Sequence, residues 1–90
     1  MFRFKESVKV PYKRQGYIYF TSLNYDNLDK GKQRKIMQMC RECGGAYSKA
    51  LFKAVTTETP LDIICDTHYI SKATLSRIVR EYYERFPQEL

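Results

Sequence analysis

The stretch TPLDIICDTHYISKATLSRIVREYYERFP, residues 59–87, decides the fold. Pro60 has no amide proton, and the first turn of a helix leaves its amides unpaired anyway, so Pro60 suits a helix start. LDIICDTHY reads as a short helix, IS as a turn, and KATLSRIVREYYERF as a longer helix stopped by Pro87. Two helices that cross closely need a small side chain at the crossing, and Cys65 supplies one. Ile70 is the apolar residue just after the turn, and Ser71 is a hydroxyl placed to cap the second helix. Leu75 and Ile78, three residues apart, share the inner face of that helix. Lys72, Ala73, Ser76, Arg77 and Arg80 then fall on the outer face.

The string ISKATLSRIVR resembles the recognition-helix pattern of bacterial helix-turn-helix regulators, of invertase-type DNA-binding domains and of sigma-factor-like segments. The resemblance covers about residues 60–82. It implies a protein that reads the major groove of double-stranded DNA with the helix 71–86, through Ser71, Lys72, Ala73, Ser76, Arg77 and Arg80. Arg77 is suited to fork onto a guanine edge, Lys72 and Arg80 to phosphates, and the two serines to short hydrogen bonds with backbone or base. One position departs from the pattern. Family members usually carry glycine in the turn, where a positive φ is common, and this chain has Tyr69. Either the tyrosine bears that strain or the turn differs.

A second pattern overlaps the first. Cys40, Cys43, Cys65 and His68 spell C-x2-C, 21 intervening residues, then C-x2-H. Three thiolates and one imidazole make a normal tetrahedral shell for structural zinc. Each cysteine also has a packing explanation. Cys40 and Cys43 lie on the apolar face of a helix, Cys65 fills the crossing position, and free cysteine is among the most buried residue types. Structural zinc is the one cofactor the sequence suggests.

Upstream, FRFKESVKV (residues 2–10) alternates imperfectly between apolar and basic residues, YKRQG reads as a basic turn, and YIYF (17–20) as a β-branched and aromatic strand. Residues 1–20 are therefore expected to form a β-hairpin packed on the helices, with Lys13 and Arg14 at its tip beside a phosphate. Asp26 or Asp29 suits a helix N-cap. Residues 26–55 then form one long helix bent at Gly44-Gly45, or two helices meeting there. The expected class is mainly α (α+β): a single-domain helix-turn-helix bundle with an N-terminal β-hairpin.

Sixteen Lys and Arg against ten Asp and Glu give a formal charge of +6, which favours a polyanionic partner. No run approaches the roughly 18 apolar residues that cross a bilayer, and MFRFKESVKV lacks the apolar core of a signal peptide, so a cytoplasmic location without membrane association is expected. Three cysteines in that compartment imply reduced thiols or metal ligands. A single His, no G-x-S-x-G and no glycine-rich phosphate loop argue against an enzyme. The small size resembles that of transcriptional regulators carried by phages and other mobile elements. Val79, Tyr82, Tyr83 and Phe86 continue the last helix as an aromatic stripe, which either packs on Tyr17, Tyr19 and Phe20 or forms a homodimer interface. The competing class is a small interaction module that grips or inhibits a host enzyme or nucleoprotein.

Overall fold

A computed structural model describes residues 4–6 and 8–90. The described residues form five α-helices: α1 (Tyr12–Leu23), α2 (Lys30–Gly44), α3 (Ser48–Thr56), α4 (Leu61–His68) and α5 (Lys72–Arg85). Short 3-10 turns at Tyr25–Asn27 and Gly45–Tyr47 join the first three. No strand occurs among the described residues.

The expected N-terminal β-hairpin is therefore a correction. Its second strand, YIYF, lies inside α1. Strand propensity is a local preference, and here the tertiary pattern overrides it. Gln15, Ile18 and Ser22 are the buried residues of α1, a spacing of three and four that only a helix puts on one face. Pro11 is the N-cap of α1 and needs no amide partner there. Residues 4–6 and 8–10 of the expected first strand form an irregular arm, while Phe2, Arg3 and Ser7 lie outside the described residues.

Gln15, fully buried, ties this arm down. Its side chain accepts from the Lys5 amide (2.8 Å) and donates to the carbonyls of Lys5 (3.0 Å) and Val10 (2.9 Å). Arg14, expected at a hairpin tip, instead binds the C-terminus. Its guanidinium donates to the Pro87 carbonyl (2.9 Å) and lies 5.4 and 5.6 Å from the ring centres of Tyr17 and Phe86.

Asp29 caps α2 by accepting from the Lys32 amide at 2.9 Å. At Gly44-Gly45 the chain makes two helices, because Gly45 takes φ 54°, a left-handed conformation incompatible with a continuing α-helix. The core gathers Ile18, Ile36, Leu51, Ile64, Leu75 and Tyr82, all essentially without solvent exposure. Val79, Tyr82, Tyr83 and Phe86 are buried within the one chain. Tyr82 meets the Ser22 hydroxyl at 2.7 Å, Tyr17 donates to the Leu90 carbonyl, and Tyr17 and Phe20 keep much of their rings in solvent. The aromatic stripe is thus consumed by packing inside the molecule.

Candidate nucleic-acid interface

The turn between α4 and α5 consists of Tyr69, Ile70 and Ser71. Tyr69 adopts φ 54°, ψ 46°, and is the one non-glycine residue with positive φ among those described. The amide of Ile70 reaches back to the Cys65 carbonyl at 3.1 Å. The same carbonyl also accepts from the Tyr69 amide, so this six-to-one bond gives the Ile70 amide a partner and drops Ile70 into the core, 5% exposed. Ser71 then caps α5, accepting from the Thr74 amide at 3.1 Å while donating to the Thr74 hydroxyl at 2.8 Å. Tyrosine thus bears the strained position that sequence alone left open.

Below the turn, Ile64, Ile70, Leu75 and Ile78 lock α4 against α5. Above it, Ser71, Lys72, Ala73, Ser76, Arg77 and Arg80 are all exposed. They share one face of the first three turns of α5, a length of about 12–15 Å at 1.5 Å per residue. The later turns are committed to the bundle through Tyr82 and Tyr83. Arg77 and Arg80 form no ion pair among the described residues, so both forks are open to a ligand. Lys72 is 3.3 Å from Asp62, but both side chains are well exposed, and an exposed pair of this kind is worth well under about 1 kcal/mol. A phosphate can compete for the lysine. The same pair offsets the Asp62 carboxylate beside the start of α5.

Beside this face runs the N-terminal arm. Lys5, Val8, Leu61, Ser76, Val79 and Arg80 line a shallow groove between the arm and α5. The Lys9 amide donates to Glu84 at 3.3 Å, and the Lys5 ammonium lies 5.6 Å from the Tyr83 ring centre. Partial burial lowers the Lys5 pKa, because desolvation disfavours its charged form. Sequence reading missed Lys5 and Val8 as neighbours of Ser76 and Arg80. The signal was present in Pro11, which interrupts strand pairing, and in Gln15, a polar residue three positions before Ile18 on the buried face.

The Cys40, Cys43, Cys65 and His68 set does not come together. Cys40 and Cys43 point into the core from α2, whereas Cys65 and His68 are half-buried on α4. Among the described residues no group of three or more His, Cys, Asp or Glu could hold a metal ion. Burial pushes the Cys40 thiol up to about 12 and also raises that of Cys43. Both shifts come from burial, which disfavours the charged thiolate. Helical spacing that mimics a ligand pair here serves packing.

No family model, curated protein or solved structure matches this chain. The site is therefore described by its own geometry, a capped helix held by its inner face with donors on its outer one.

Proposed function

We propose that this chain is a sequence-specific duplex DNA-binding protein that regulates transcription, with α5 entering the major groove. The observation that carries the reading is the single exposed face formed by Ser71, Lys72, Ala73, Ser76, Arg77 and Arg80, above a tight turn and a buried inner face. Arg77 and Ser76 read base edges. Lys72 and Arg80 hold phosphates and set register, assisted by the positive end of the α5 dipole. The overall charge of +6 attracts the duplex from a distance.

Selection from a randomised duplex library tests this. One motif is expected to enrich, with affinity falling linearly in log salt. Arg77→Ala relaxes base preference at one position of the motif, at a cost of about 1–3 kcal/mol. Lys30→Ala, on α2, leaves the preference unchanged. A library from which no duplex emerges above background refutes the proposal.

A further inference from the structure

Two surfaces of the molecule carry side chains with no partner among the described residues, and they are complementary. The first is the outward ridge of α4. Asp62 and Asp66, four residues apart, lie beside Ile63, and the helix ends at Tyr69. Ile63 is 54% exposed and Tyr69 is 91% exposed. The Tyr69 ring makes no hydrogen bond or ring contact among the described residues, yet its backbone sits in a region that costs a side-chain-bearing residue about 1–2 kcal/mol and glycine nothing. An exposed aromatic held in strain points to a use outside the monomer. Asp62 is answered by Lys72, whereas Asp66 has no ion pair among the described residues.

The second surface is a groove between α2 and α3, about 280 Å³ in volume. Met37, Cys40 and Phe52 form its apolar floor, and Arg41 and Lys49 flank it. Neither cation has an ion pair among the described residues. Lys30, Arg34, Met37 and Arg41 follow one another at spacings of four, three and four, so the positive stripe continues along one face of α2. This groove is distinct from the reading face of α5. Glu42, which pairs with Arg85 of α5 at 3.5 Å, lies on the far side of α2 from Met37.

We propose that the α4 ridge of one copy docks into the α2–α3 groove of a second, joining molecules head to tail. Tyr69 lies on Met37 and Phe52, and Asp66 sits between Arg41 and Lys49. An aromatic anchor rimmed by opposite charges is the usual make-up of an interface centre. A nucleic-acid backbone is a poorer occupant, because the apolar floor gives phosphate no donor. Ridge and groove are different surfaces, so the contact is heterologous and leaves a free groove at one end and a free ridge at the other. The ridge is a single short helix, smaller than the roughly 800 Å² per partner typical of stable complexes, so association is weak and grows with concentration. It requires no DNA and stands apart from the reading of α5.

Sedimentation velocity on DNA-free protein, in low salt and up to millimolar concentration, tests the contact. The wild-type coefficient should rise without a plateau at dimer, and added salt should reverse the rise. Arg41→Glu spoils the groove and Tyr69→Gly spoils the ridge, so each alone stays monomeric. Mixed in equal amounts, they should form dimers and nothing larger, because one intact ridge meets one intact groove. A wild-type protein that remains monomeric throughout, or stops at dimer, overturns the proposal. So does a mixture that stays monomeric or grows past two. Far-UV circular dichroism of both variants shows that each has folded.

Discussion

Tyr69 and Ser71 stand two positions apart in one turn and affect stability in opposite directions. At φ 54° the Cβ of Tyr69 crowds the following carbonyl, and its ring, exposed to solvent, recovers none of that cost inside the monomer. Tyr69→Gly is therefore expected to stabilise the monomer by about 1 kcal/mol, a rise of about 4–8 °C in melting temperature for a domain of this size. Tyr69→Ala keeps the strain and should melt near wild type. Equal melting of the glycine and alanine variants in dilute solution argues that the turn is unstrained. Ser71 works the other way. Its hydroxyl satisfies the Thr74 amide, and Ser71→Ala should cost about 1 kcal/mol, read as a lower urea midpoint with an unchanged slope.

The elements differ in how far their sequence announces them. α4 and α5 were legible because proline entry, serine cap and a three-to-four apolar period all agree at Pro60, Ser71, Leu75 and Ile78. In α1 the signals conflict. Tyr17, Ile18, Tyr19 and Phe20 favour a strand, while the helical period rests on Gln15 and Ser22, two polar residues that a hydrophobic pattern overlooks. Their burial makes sense only with the partners present, the arm carbonyls for Gln15 and the Tyr82 hydroxyl for Ser22. Gln15→Leu should accordingly release the arm, since a carbonyl and an amide left unpaired in the interior cost about 1–3 kcal/mol each. Hydrogen exchange should then show the Lys5 amide losing protection while the amides of α5 keep theirs. Protection lost equally in both would mean that arm and core open as one unit.

Across the whole molecule, titratable groups buried in the core tie stability to pH. The outward placement of Lys72, Ser76, Arg77 and Arg80 on α5 was legible because solvent-facing residues need no tertiary context, whereas the separation of Cys40 and Cys43 on α2 from Cys65 and His68 on α4 was not, because spacing alone does not say which residues meet. Cys40 and Cys43 belong to the core with Tyr82 and Tyr83. Burial raises Cys40 from its ordinary 9.0 to about 12, and it raises both tyrosines above their ordinary 10.0. Each group holds its proton more tightly folded than unfolded. Between the two values the unfolded chain binds fewer protons, so stability falls as pH rises. Their contribution is complete below pH 9.0 and is lost as pH climbs through about 12 for Cys40, with the tyrosines following from about pH 10 upward. Melting temperature should hold steady near neutrality and then decline steeply through this alkaline range. Cys40→Ala should flatten the first part of the decline, and Tyr82→Phe the later part, although the phenylalanine variant starts lower because the Ser22 hydroxyl loses its partner. A melting temperature that stays level from pH 9.0 to about 12 would show that these groups ionise freely in the folded chain, and hence that water reaches the centre of the bundle.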